Sequence, residues 1–352
     1  MGLNSLELTG FRCFEQVELE PAPGVNLVTG ANASGKTSLL EAIFLLGRGR
    51  SFRTARREQM IREGADCLRI VGRLGDGRLA GIEVDQGGWQ ARAGGQSINQ
   101  IAELASLLAV QVMDPEIHRL VQEGPGERRR YLDWATFHVK PAFLETWRSY
   151  QRALRQRNAA LKSRQPDAVV AVWESALAAE GATLDRWRAD TVALLQGPVN
   201  RVANRLLDAE LTLEYRPGQP AGGSLEQALE AYRDRDRRAG MTQVGPHRAD
   251  LGLALDGHKA RGWVSRGQQK LVAAALVLGQ AEALADCWGA RGVLLVDDVA
   301  AELDRERCGR LLDLIAASPF QVFVTALAQE AVEGLEPARS FHVEQGRVRR
   351  VI

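Results

Sequence analysis

The sequence predicts an α/β fold: a mixed sheet with helices, joined to an antiparallel β subdomain and interrupted by an inserted α-helical arm. Three observations predict it. Residues 25–47, VNLVTGANASGKTSLLEAIFLLG, pass from an apolar strand through G-x-x-x-x-G-K-T into an apolar-periodic helix. Residues 293–298, Val-Leu-Leu-Val-Asp-Asp, read as a strand buried on both faces that ends in carboxylates. Between these, alternation gives way to helical spacing near residue 116 and returns at Leu251, Leu253 and Leu255. A chain that leaves a sheet and re-enters it carries an insert in a discontinuous domain, with divisions at 1–115, 116–240 and 241–352.

In chain order, residues 3–20 alternate as a half-buried hairpin with its turn near Arg12. The next strand feeds the glycine loop Gly30, Ala31, Asn32, Ala33, Ser34, Gly35, Lys36 and Thr37. Gly30 and Gly35 can take backbone angles closed to other residues, so successive N–H groups can turn inward around phosphate oxygens at a helix N-terminus. Lys36 supplies a point charge to the β and γ phosphates, and the Thr37 hydroxyl a ligand for Mg²⁺. Only five of the 45 basic residues are lysine. Lys36 sits where a compact ammonium fits and a planar guanidinium does not.

From Arg48 to Arg62 six arginines face one acid, Glu58. Such a loop repels itself unless an anion lies nearby, so Arg48, Arg50, Arg53, Arg56 and Arg57 are candidates for polyanion contact, with a solvated or salt-bridged surface as the alternative. Residues 67–92 read as short antiparallel strands with glycine turns, residues 98–108 as a short helix, and Ala109-Val110-Gln111-Val112 as a strand.

Helical periodicity then covers 127–137, 143–161, 168–195, 199–207 and 225–238. The longest of these segments extends about 40 Å. Trp134, Trp147, Trp173 and Trp187 fall here and are expected to pack between helices. Arg128, Arg129, Arg130, Arg148, Arg152, Arg155 and Arg157 form a basic flank, and three- and four-residue spacing puts Arg148, Arg152 and Arg155 on one face. That face is either a polyanion surface or a solvated one.

Ser265-Arg266-Gly267-Gln268 opens another helix. A serine hydroxyl, a glycine and a helix N-terminus make a second anion cradle, the bland alternative being an N-capped helix. A chain that already has a phosphate loop uses a second cradle on another copy, which implies a dimer closed over ATP. Asp297 is placed to hold Mg²⁺ through its water shell, and Asp298 to orient or deprotonate an attacking water. Ala301-Glu302-Leu303-Asp304 can relay the state of the site across a dimer seam, and Thr325 can sense the γ-phosphate.

An apolar fraction of 45% and a charged fraction of 25% belong to a soluble globular protein. The longest apolar run, 271–278, is too short to span a bilayer, so a cytoplasmic protein with no membrane partner is expected. Cys13, Cys67, Cys287 and Cys308 lack metal-type spacing and read as buried reduced thiols. A net charge of +1 decides nothing about nucleic acid.

G-x-x-x-x-G-K-T, S-x-G-Q, an apolar strand ending in Asp-Asp and E-L-D, in that order, resemble the ATPase head of the ABC class that includes SMC-like DNA-repair proteins. Residues 8–12 (LTGFR), 50–54 (RSFRT), 127–133 (ERRRYLD) and 245–250 (GPHRAD) resemble the RecF family, and the likeness extends over essentially the whole chain. The resemblance implies an ABC-type head in which Gly30–Thr37 is Walker A, Asp297 and Asp298 Walker B, and 302–304 the D-loop. Gln111 would be the Q-loop residue coupling Mg²⁺ to the insert. Ser265, Gly267 and Gln268 would form the signature acting in trans. It further implies ATP and Mg²⁺ as cofactors, a slow DNA-dependent ATPase, and an ATP-stabilised homodimer on gapped, single-strand/double-strand DNA in recombinational repair, replication and the SOS response. RecR is the expected partner, with RecO in the same pathway. Asp298 stands where the wider class has Glu, and Thr325 where many members have His, which implies a slow timer. A transporter's nucleotide-binding subunit, an SMC-type tether and a nuclease are the rival readings; the helical insert and the arginine loop count against the first, and the short arm against the second.

Overall fold

Alternation in the first twenty residues produces the expected hairpin, Leu3–Phe11 against Phe14–Leu19, with Leu6, Leu8, Phe11 and Phe14 fully buried. The computed structural model describes residues 2–298 and 303–352. Two compact units divide the chain: residues 1–117, 205–207 and 273–352 form the first, and 118–204 and 208–272 the second.

The first unit holds two sheets. One is antiparallel, in the order Phe14–Leu19, Leu3–Phe11, Cys67–Leu74, Leu79–Asp85, Trp89–Ala93, Gln96–Ile98. The other runs Arg347–Arg350, Arg339–Glu344, Val25–Thr29, Gln321–Ala326, Gly292–Val296, Ala109–Met113, with every pairing parallel except the first. The P-loop helix Lys36–Arg48 packs against strands of both sheets, and everything from Ser38 to Gly47 is buried. A helix covered on both sides must be apolar around most of its circumference, which is how LLEAIFLLG reads. Gly47 permits the closest approach, since a Cβ there would meet a Val110 methyl at 2.3 Å.

The second unit carries helices Pro125–Val139, Phe143–Lys162 and Asp167–Leu207, whose last three residues count with the first unit, and a three-stranded antiparallel sheet of Leu211–Arg216, Asp250–Leu255 and His258–Lys259. The expected break at Gly197-Pro198 does not occur: 41 residues form one helix through Pro198, about 60 Å long rather than 40 Å. The proline costs one hydrogen bond at the Leu194 carbonyl, and Leu194 lies on an exposed flank. Trp147, Trp173 and Trp187 pack against an apolar cluster containing Tyr150, Leu177 and Leu184.

Two sequence expectations about charge and thiols are corrected. Arg157 is fully buried, bonded to Glu174, Asp236 and Thr242, so it belongs to the interior and not to the basic flank. Helical phase explains this: Arg157 follows Tyr150, Ala153 and Leu154 on the buried side, whereas Arg148, Arg152 and Arg155 are exposed. The four cysteines are free, yet Cys13 and Cys287 are exposed rather than buried.

Candidate nucleotide site and basic surfaces

Strand Val25–Thr29 ends at Gly30, where φ is 152° and a Cβ would strike the Val343 carbonyl at 2.3 Å and Ser34 Oγ at 2.7 Å. Gly35 caps the helix at φ 118°, and a Cβ there would meet Cys13 Sγ at 2.8 Å. No side chain caps this N-terminus, so its first N–H groups are left to an external acceptor. Ser34 Oγ is buried without a hydrogen-bond partner. Lys36 Nζ donates to the carbonyls of Gly30 (2.7 Å) and Ala31 (2.9 Å), closing the loop on itself, while Ala31, Asn32 and Ala33 are exposed at its mouth. An unpaired hydroxyl, an uncapped helix and an ammonium around two obligatory glycines fit a polyphosphate.

At the carboxyl end of strand Gly292–Val296, Asp297 is buried, and its Oδ1 accepts from Thr37 Oγ1 at 3.1 Å and Thr325 Oγ1 at 2.7 Å. The Thr325 hydroxyl also accepts from the Asp298 amide at 2.9 Å. It therefore fixes the turn at Asp298, an exposed residue with φ 49°. Burial pushes the Asp297 pKa above the usual carboxylate range; the Thr325 and Thr37 hydroxyls pull it down, and the Asp298 charge pushes it up. Burial lowers the Lys36 pKa, opposed by the charges of Asp297 and Asp298. A threonine hydroxyl and a carboxylate in contact suit Mg²⁺, whose other ligands are water and phosphate oxygens. Among the described residues no cluster of His, Cys, Asp and Glu forms a metal site without such help.

Gln111 is not brought to this pair. It lies opposite Leu294, three residues short of Asp297, or about 10 Å along the strand. Its amide donates to Gln280 and accepts from Arg48 Nη2 at 3.4 Å. The main chain at that end of the neighbouring strand is instead Met113, whose carbonyl accepts from the Asp297 amide at 2.8 Å. Glu302 lies outside the described residues; Asp304 caps helix Arg305–Ala316, accepting from the Arg307 amide. Ser265 and Gln268, in the second unit, form a capping box: the Ser265 amide donates to Gln268 Oε1 at 2.9 Å and the Gln268 amide to Ser265 Oγ at 3.3 Å. Gly267 lies in the first turn of that helix, Arg266–Ala283, and Ser265 is exposed.

The arginine loop divides. Arg48 turns inward: its Nε donates to the Val110 carbonyl at 2.9 Å, and its guanidinium lies 5.4 Å over the Phe44 ring. Its place among the polyanion contacts is therefore withdrawn. Arg50, Arg53, Arg56 and Arg57 are exposed. The acid that organises this loop is Glu41, outside the window and fully buried in the P-loop helix. It accepts from Arg12 Nε and Nη2 (2.9 and 2.6 Å), from Arg53 at 3.3 Å and from the Ser51 hydroxyl. A lone glutamate within an apolar helical run was the available signal, since a buried carboxylate requires a partner.

His247, unassigned by the sequence, is structural. Its Nε2 donates to the Thr242 carbonyl at 3.0 Å, so Nδ1 accepts from the Tyr150 hydroxyl at 2.7 Å. Desolvation lowers its pKa to about 4. The rest of the segment is clamped by arginines: Arg188 donates to the Pro246 carbonyl, Arg129 to the Ala249 carbonyl, and Arg128 to both oxygens of Asp250. Arg128 and Arg129 are thereby engaged within their own unit.

A family model described as RecF/RecN/SMC N terminal domain matches residues 2–70. The DNA replication and repair protein RecF of Thioalkalivibrio sulfidiphilus (strain HL-EbGR7) is 42% identical over 357 residues, 99% of each chain. That of Stenotrophomonas maltophilia (strain R551-3) is 39% identical over 360 residues, again 99% of each. A solved structure of the recombination mediator protein RecF-ATP in the RecFOR pathway matches with a TM-score of 0.89 at 26% identity, covering 100% of this chain and 98% of that one. The SmcHead bound to the C-winged helix domain of ScpA shares the fold alone, with a TM-score of 0.62 at 16% identity over 100% and 97% of the two chains. Fold and site together define an ABC-type P-loop ATPase head of the SMC-like class. Within that class, the chain belongs to the RecF family of DNA replication and repair proteins.

Proposed function

We propose that the protein is an ATP-dependent DNA-binding ATPase of recombinational repair, active on gapped DNA as an ATP-stabilised homodimer. The contact of Thr37 with Asp297 beside the glycine loop carries this reading, because it joins the helix that would grip phosphate to the carboxylate that would hold Mg²⁺. Gly30–Thr37 would bind the ATP phosphates, with Lys36 leaving its loop carbonyls for the β and γ oxygens. Thr37 and Asp297 would hold Mg²⁺, which when bound neutralises charge on the phosphates. Asp298 would orient the attacking water, and Thr325 fixes the backbone that presents it. Ser265, Gly267 and Gln268 of a second copy would close over the phosphates, so dimerisation and ATP binding strengthen each other equally.

On this reading 1–115 and 273–352 build the phosphate-gripping part of the ATPase head and 116–240 the arm, while 241–272, expected in the head, belong to the same compact unit as the arm. Arg50, Arg53, Arg56 and Arg57 in one unit, and Arg148, Arg152 and Arg155 in the other, are the exposed cations offered to DNA phosphates. Expected partners are RecR, with RecO in the same pathway, in the cytoplasm. No helix among the described residues is long and apolar enough to cross a membrane.

Sedimentation with and without ATP and gapped DNA, on wild type and Lys36→Ala, tests the reading. Wild type should dimerise only with ATP, and the variant should stay monomeric. A variant that still dimerises with ATP removes the P-loop from the mechanism, and wild type that dimerises but ignores DNA would revive the transporter reading.

A further inference from the structure

A cavity of about 450 Å³ lies in the first unit beneath the arginine loop. Its floor is apolar: Leu45, Met60, Ile82 and Val84. Phe52 and Trp89, both half-buried, flank it, and exposed Arg50, Arg53 and Arg57 stand at its edge. That volume is in the range of small-ligand sites, roughly 300–1,000 Å³. Resting on the DNA-binding reading above, we propose that this cavity receives one unpaired base of a DNA strand, held against both Phe52 and Trp89, with the flanking phosphates on the arginines.

The chemistry selects such a ligand. Aromatic faces over an apolar floor bind bases irrespective of sequence, and guanidinium groups beside them bind the backbone, which is the combination that single strands require. A paired, stacked base cannot enter without first being extruded, at a cost that a gap or a strand end does not incur.

The receptor is preorganised. The Phe52 ring is held edge-on by Phe44 at 5.3 Å, and Phe44 belongs to the P-loop helix. Ser51 bonds Glu41 and accepts from the Arg53 and Thr54 amides at 2.9 and 3.0 Å, while the Thr54 hydroxyl donates to Gln59. The loop that carries Phe52 is thus fixed before any ligand arrives.

The far wall of the cavity lies away from the phosphate loop. Leu45 and Gly49 line it, nine and thirteen residues beyond Lys36, which places them roughly 14 and 20 Å along the helix from the phosphate loop. Arg53 lies on the near side, where its charge is felt at Asp297.

The test uses the full chain with ATP and three labelled duplexes: one with a five-nucleotide gap, one with an abasic gap of the same length, and one merely nicked. Wild type should prefer the gapped duplex to the nicked one by about tenfold, a preference that stacking of one base supplies. That preference should vanish with the abasic gap, in Phe52→Ala and in Trp89→Ala, while nicked-duplex and ATP affinities stay at wild-type values. Trp89→Phe, which keeps a stacking face, should restore it. Equal binding of abasic and intact gaps by wild type overturns the inference and leaves the DNA-binding reading standing, as does a preference that survives in either alanine variant. A fall in ATP affinity in Trp89→Ala overturns it differently, by assigning the cavity to the nucleotide. Wild type that binds none of the three duplexes sinks the DNA-binding reading, and the inference with it.

Discussion

Arg12 and Glu41 meet through two charge-assisted hydrogen bonds of 2.9 and 2.6 Å, one partner at the hairpin turn and the other wholly buried in the P-loop helix. Arg12 adopts φ 54° to make this approach, and its amide donates to the Met60 carbonyl at 2.9 Å. Because Glu41 also holds Ser51 and Arg53, one carboxylate ties the first hairpin, the phosphate helix and the arginine loop together.

Glu41→Ala should therefore destabilise the protein by about 3 kcal/mol, the low end for breaking a buried ion pair, since Arg12 and Arg53 can both reach water. Urea unfolding measures this. The variant should also expose the peptide bonds of 50–57 to protease in the folded state; protection equal to wild type would mean that the loop is held by other contacts.

Thr325→Val removes the hydroxyl that serves both Asp297 and the Asp298 amide. A loss of about 1–2 kcal/mol in unfolding free energy is expected, with slower ATP turnover, because the turn presenting Asp298 loses its acceptor. Thr325→Ser keeps both bonds and should behave as wild type. Equal turnover in the valine variant would show that the Asp298 backbone is set elsewhere.

The pH dependence of stability should reveal His247. Its pKa is about 4 in the folded protein against 6.5 for the free side chain, so the unfolded chain takes up the proton first. Stability is then fully present above about pH 6.5 and falls as the pH drops toward 4, by up to on the order of 3 kcal/mol. Comparing urea midpoints of wild type and His247→Gln from pH 7.5 to 4.5 isolates this contribution. Parallel losses in the two proteins would transfer it to another group.

Arg155 and Arg157, two residues apart, should respond oppositely. Arg157→Ala leaves Glu174 and Asp236 buried with fewer donors and should cost about 3–5 kcal/mol. Arg155→Ala should leave stability unchanged, weaken DNA binding and reduce the slope of log affinity against log salt by about 1. An unchanged slope would remove Arg155 from the DNA surface.

Much of the fold was legible because it is local. The alternation of Leu3 to Leu19, the glycine loop and the apolar strand before Asp297 each state their structure within a few residues, and physical rules of period and backbone freedom read them directly. The Pro198 helix was not legible, because the proline penalty was outweighed by forty other helical residues. Nor was Gln111, since its distance from Asp297 depends on strand register, which no single segment contains.

The sequence by itself determined the phosphate loop, the carboxylate strand and the discontinuous order of sheet, helices and sheet. Tertiary structure alone decided which charges serve the fold and which face water. A run of arginines has one appearance in a sequence, whereas Arg48, Arg128 and Arg157 are withdrawn from it by partners on other elements. Those partners lie far along the chain, Val110 62 residues from Arg48, Asp236 79 residues from Arg157 and Asp250 122 residues from Arg128. The energy of a charge depends on its burial and its neighbours, and both exist only after the chain has folded.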